Sequence, residues 1–136
     1  VVLSGAVEAI RAVTGELSCK RTIPLPVSGA FHSPFMENAS KAFADELDKV
    51  SFQAARFPVL SNSDPSPTSN ADLLKNRLKT QMTKGVRWRE TMENFKNLGI
   101  SNIVEIGPGN VLSGLAKRSL KGLSINQISN STDLGY

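Results

Sequence analysis

Between Ile100 and Ile128 the chain writes an apolar run, a glycine turn, a helical pattern and a second apolar run in close succession, and this stretch limits the fold more than any other. Ile100 to Ile106 reads as a strand, Gly107-Pro108-Gly109 as a tight turn, Val111 to Leu120 as a helix ending at Gly122, and Ser124 to Ile128 as a last strand. Strands that alternate with helices argue for a mostly parallel α/β sheet.

The rest of the chain carries the same alternation. Val1 to Leu3 reads as a short strand and Ala6 to Leu17 as an amphipathic helix with Val7, Ile10 and Val13 at helical spacing. Arg21 to Val27 alternates Ile23, Leu25 and Val27, a strand that Pro24 and Pro26 push towards a sheet edge. After Ser33 as cap and Pro34 as first residue, a helix from about Phe35 to Val50 stacks Ala39, Phe43 and Leu47. Phe57 to Leu60 reads as a short strand and Ser61 to Asn70 as loop. Two further helices, about Asp72 to Thr83 and Trp88 to Leu98, bury Leu74, Leu78 and Met82 and align Trp88, Met92 and Phe95 before Gly99.

Composition enters chiefly by exclusion. No apolar run approaches the roughly 20 residues of a bilayer-spanning helix. A net charge of +4, with one Trp and one Tyr, gives no base-stacking device, so nucleic acid is not an expected partner. Cys19 is the single cysteine and cannot form an internal disulfide, which suits a reducing compartment such as cytoplasm or an organelle stroma. The opening Val-Val-Leu-Ser-Gly, with no initiator methionine, reads as a strand already inside a domain and hence as a truncated start.

Candidate chemistry is sparse. His32 is the only histidine and falls in a loop between a strand and a helix, where a neutral imidazole can serve as a general base. No G-x-S-x-G elbow occurs, so a serine nucleophile must come from elsewhere. With no obvious carboxylate partner, the second ring nitrogen calls for a carbonyl or amide oxygen; Gln81 is a candidate on general chemistry, although from the residues alone a solvated helix glutamine is the favoured reading. The Gly-Pro-Gly turn could cradle a phosphate at a helix N-terminus, but it lacks a third glycine and a downstream acid, and the tight-turn reading is favoured. Lys75, Arg77, Lys79, Lys84, Arg87 and Arg89 form a basic cluster, and Lys117, Arg118 and Lys121 a second; either could dock an acidic partner, and a solvated face is the blander reading.

Two segments, Ile23-Pro-Leu-Pro-Val-Ser-Gly-Ala-Phe-His-Ser-Pro-Phe-Met36 and Ile103-Val-Glu-Ile-Gly-Pro-Gly-Asn-Val-Leu-Ser-Gly-Leu-Ala-Lys-Arg118, resemble the malonyl-CoA:acyl-carrier-protein transacylase family. Between them, Gln81 and Gly85-Val86-Arg87-Trp88 resemble that family's glutamine and Pro-Val-x-Trp segment, with glycine in place of proline. The resemblance implies a hydrolase-like α/β core, mostly parallel, with an inserted ferredoxin-like subdomain: residues 1–26 as the closing part of that insertion and 27–136 as the C-terminal part of the core. It implies transfer of malonyl from malonyl-CoA, through a serine ester, to the phosphopantetheine thiol of acyl carrier protein in fatty acid biosynthesis. No cofactor or metal of the protein's own is called for, and the expected setting is cytoplasm or plastid stroma.

By the same resemblance His32 is the catalytic base, and Gln81 is the residue whose carbonyl oxygen accepts from it. Phe31 occupies the position where phenylalanine accompanies malonyl preference, and Lys117 and Arg118 match a pair implicated in docking the carrier. The serine elbow, the carboxylate-binding arginine and the oxyanion glutamine of the family have no counterpart after Val1. The chain alone is therefore expected to expose apolar edges and to show little or no transfer. The competing readings are an acyltransferase domain of a polyketide synthase, which its short polar tail disfavours, and a non-enzymatic carrier-binding module.

Overall fold

A computed structural model describes residues 1–135, and these fall into two compact units, one from Val1 to Val86 and one from Arg87 onward. The first unit holds helices α1 (Val7–Glu16), α2 (Glu37–Asp48, entered through a 3-10 turn at Pro34–Met36) and α3 (Ala71–Thr80). The second holds α4 (Trp88–Asn97), strand β1 (Asn102–Ile106), α5 (Val111–Ser119), strand β2 (Ser124–Ile128) and a closing 3-10 turn at Ser131–Leu134.

In the first unit α2 packs on α3. Leu47 is buried between them, and Ser40 Oγ donates to the Lys79 carbonyl at 2.8 Å. The start of α3 is fixed by Asn70, whose side chain accepts from the Leu73 N–H at 2.9 Å. Ser33 has the extended conformation of a cap, but its hydroxyl turns back to donate to the Ala30 carbonyl at 2.6 Å and gives the helix no capping bond. Pro34, which has no N–H to satisfy, starts the turn.

The second unit is a strand-helix-strand unit. β1 and β2 pair in parallel, with Asn102 opposite Ser124 and Ile106 opposite Ile128, and α5 makes the crossover between them. α5 packs on α4 and β2, where Met92 and Ala116 are each only 2% exposed. Gly99 ends α4 with φ of +68°, a left-handed position that lets Ile100 N–H reach back to Phe95 O at 2.9 Å. Gly107 and Gly109, at φ +134° and +89°, turn β1 into α5 where an L side chain would be strained.

Three expected strands do not form among the described residues. Residues 1–3 and 21–27 pair with no other segment, and Val27 N–H instead closes a three-residue turn on Leu25 O at 2.8 Å around Pro26. Of the expected strand from Phe57 to Leu60, only Val59 pairs, antiparallel to Thr68 inside the presumed loop. Pro58 and Pro67, beside those two residues, supply no N–H with which the ladder could continue.

Candidate active site

His32 lies just before α2 in a left-handed conformation, φ +63°, the only positive φ outside glycine among the described residues. What holds it there is the end of α3. Beyond Thr80 the carbonyls have no helical partner, and the turn that follows α3 aims three of them at this one residue. Met82 O accepts the His32 N–H at 2.8 Å; Gln81 O and Lys84 O stand 2.9 and 3.1 Å from its Nδ1.

Carbonyl oxygens can only accept, so Nδ1 must carry the hydrogen. In the neutral ring, Nε2 then keeps an unshared pair and is the nitrogen able to take a proton. The group on Gln81 that does this is its main-chain oxygen, not the carboxamide. Lys84 was not anticipated as a partner, and no side-chain pattern could have revealed it, because it too acts through its backbone.

The ring opens onto a cleft of about 380 Å³ lined by Phe31, His32, Phe43, Asn62, Gln81 and Met82. Phe31 is half exposed, and its ring crowds Gly29: a Cβ there would sit 3.2 Å from Cε2. None of the lining side chains carries a carboxylate, an ammonium or a guanidinium.

Most of the first basic cluster is spent internally. Lys75 and Lys79 both pair with Asp48, Lys75 at 3.7 Å, and Lys75 also donates to Val50 O at 3.0 Å. Arg77 meets Asp64 at 2.7 Å and Ser66 O at 2.6 Å. In the second unit Arg87 pairs with Glu90, and Arg89 with Glu93 at 3.5 Å. The Lys79 hydrogen bond, with the charges of Lys79 and Lys75, holds the Asp48 carboxyl below its ordinary range; bonds from the Ser66 amide and side chain, then Arg77, do the same for Asp64. Lys117 and Arg118 occupy the last turn of α5, both exposed, where their positive charge complements the helix dipole.

The glycine turn does not leave α5 open for a phosphate. Glu105 of β1 accepts from the Leu112 and Ser113 N–H groups at 3.1 and 2.8 Å, filling the place an anion would take. The Ser113 side chain and these amides keep the Glu105 carboxyl below its ordinary range. Gln127 Nε2 donates to Gly109 O and ties the turn to β2. Among the described residues no cluster of three or more His, Cys, Asp or Glu is placed to hold a metal ion, and no helix is long and apolar enough to cross a membrane.

In sequence and in backbone the chain is similar to acyl-carrier-protein malonyltransferases. The malonyl CoA-acyl carrier protein transacylase of Synechocystis sp. is 48% identical over 134 residues, which is 98% of this chain and 46% of that protein; its Escherichia coli counterpart is 35% identical over 94% of this chain and 42% of that protein. The crystal structure of the Synechocystis enzyme superposes with a TM-score of 0.91 over 97% of this chain and 45% of that one. A malonyl-transacylase solved in complex with a type II polyketide acyl carrier protein is 33% identical, with a TM-score of 0.86 over 94% of this chain and 42% of that one. No family model matches the chain. Over nearly its whole length, then, the chain is similar in sequence and backbone to malonyl CoA-acyl carrier protein transacylases, and it spans somewhat under half the length of the relatives it matches.

Proposed function

We propose that this chain supplies the histidine side of the active site of a malonyl-CoA:acyl-carrier-protein transacylase of fatty acid biosynthesis, with the serine nucleophile contributed by sequence outside it. The observation that carries the reading is the 2.9 Å approach of His32 Nδ1 to Gln81 O, which leaves Nε2 as the basic nitrogen. Nε2 takes the proton as the serine oxygen attacks the malonyl thioester. The carbon–sulfur bond breaks, the serine ester forms, and the imidazolium returns its proton to the departing coenzyme A thiolate. In the second half, Nε2 takes the proton of the carrier's phosphopantetheine thiol, whose sulfur displaces the serine oxygen, and the serine recovers its hydrogen from the ring.

In this reading the Gln81 carbonyl replaces the acidic member of a hydrolase triad by fixing the tautomer and facing the positive charge the ring acquires. Phe31 crowds the acyl pocket against branched malonyl groups, and Lys117 with Arg118 docks the acidic carrier. Residues 1–26 are the closing part of a ferredoxin-like subdomain and 27–136 the C-terminal part of a hydrolase-like core. The chain alone, without nucleophile, transfers little or nothing; the setting is cytoplasm or plastid stroma.

The test is a graft. This chain replaces the matching stretch of the Synechocystis relative, and malonyl transfer to acyl carrier protein is measured. Transfer that vanishes on His32→Ala supports the proposal; a folded graft indifferent to that substitution sinks it.

A further inference from the structure

One side chain on the His32 cleft has no part in the transfer chemistry. Asn62 lines that cleft and also an adjoining one bordered by Phe52, Leu74 and Leu78. It stands at the tip of a turn closed twice, by Ser61 N–H to Asp64 O at 3.1 Å and by Asp64 N–H to Ser61 O at 3.2 Å. Arg77 of α3 clamps the turn through Asp64 at 2.7 Å. Because α3 runs on into the turn whose carbonyls hold His32, the same helix supports the imidazole and Asn62. The Asn62 carboxamide is exposed and has no hydrogen-bonding partner among the described residues.

The chemistry of the lining decides what it can receive. Two aromatic rings, a thioether, an imidazole and two carboxamide residues make a neutral wall with no cation to offset a carboxylate. A carboxamide offers donors and an acceptor together, the complement of a secondary amide's C=O and N–H. We propose that Asn62 reads an amide of the pantetheine arm that brings its thiol to His32. This rests on the acyl-transfer reading of the site and adds to it the residue that seats the arm.

The test titrates the nitrogen-15-labelled 136-residue chain with pantetheine and, in parallel, with 3-mercapto-1-propanol, a thiol without an amide. The Asn62 side-chain NH₂ resonances, assigned by their loss in Asn62→Leu, shift with pantetheine and not with the amide-free thiol. Asn62→Leu weakens pantetheine binding about 3- to 10-fold, the worth of one neutral hydrogen bond, while its response to the amide-free thiol is unchanged. Asn62→Asp, similar in shape but stripped of donors, falls between, and serves alone if the leucine variant does not fold. Equal responses to both thiols, undiminished pantetheine binding in the variants, or no response of the unaltered chain overturns the proposal. The base assignment is separable: a graft that depends on His32 but whose KM for coenzyme A and carrier substrates ignores Asn62→Leu refutes the Asn62 role alone.

Discussion

The main-chain oxygen of Gln81 lies 2.9 Å from Nδ1 of His32, across 49 residues of sequence. Because the bond uses backbone, the side chain at position 81 can change without breaking it. In the graft, Gln81→Ala keeps transfer within about 3-fold, whereas His32→Ala lowers kcat by about 100-fold or more, the usual worth of a general base. Steady-state kinetics on both variants checks this. A glutamine variant as damaged as the histidine one would mean that the carboxamide, and not the carbonyl, orients the ring.

Gly29 and Phe31 form a second linked pair. With 3.2 Å between a would-be Cβ and the ring edge, Gly29→Ala must move the phenyl group by a few tenths of an ångström. If Phe31 screens the acyl group, Phe31→Ala raises the methylmalonyl-to-malonyl ratio of kcat/KM about 10-fold, within the range one methyl is worth, and Gly29→Ala shifts the ratio less. Competition between the two thioesters in the graft reads both. An unchanged ratio in Phe31→Ala removes that residue from selectivity.

What could be read from sequence divides along side chain and backbone. The helix expected at Trp88 to Leu98 forms over Trp88–Asn97, because apolar spacing and Gly99 are side-chain and glycine signals. The helix expected to run to Thr83 stops at Thr80, and the carbonyls beyond its end turn to His32; no residue type announces that. Likewise the basic cluster looks free in sequence, since Asp48 and Asp64, which engage three of its members, lie on other elements. The strand expected at 21–27 has side-chain alternation but no segment to pair with among the described residues, and alternation alone does not make a ladder.

Asp64 gives a pH signature. Its carboxyl titrates below the usual 3.8 in the folded chain, so the contribution of its bonds to Ser66 and Arg77 is fully present above that value and is lost as pH falls through the lower folded pKa. Urea denaturation of the chain and of Asp64→Asn should differ by a constant amount well above pH 3.8 and converge as the pH falls below that value through the lowered folded pKa. A gap that does not shrink at all as the pH falls below 3.8 would assign the effect to shape and not to charge. With 39% of the Asp64 side chain open to solvent, screening keeps the gap small.

The surface of β1 leads to the last prediction. Ile106 is 79% and Val104 48% exposed, on the same face of β1 in a two-stranded sheet, while among the described residues the buried apolar ones are only Leu47, Met92 and Ala116. An apolar strand edge of this kind pairs or aggregates unless something covers it. The isolated chain should therefore bind a hydrophobic dye and associate with rising concentration, and Ile106→Lys should suppress association by placing a charge on that strand. Sedimentation of both chains over a concentration series measures this. In the graft, by contrast, the relative's own remaining half is available to cover β1, and there Ile106→Lys should destabilise the fold; if the lysine is as harmless in the graft as it is helpful in the isolated chain, the strand faces solvent in both and the apolar residues on it serve no packing role.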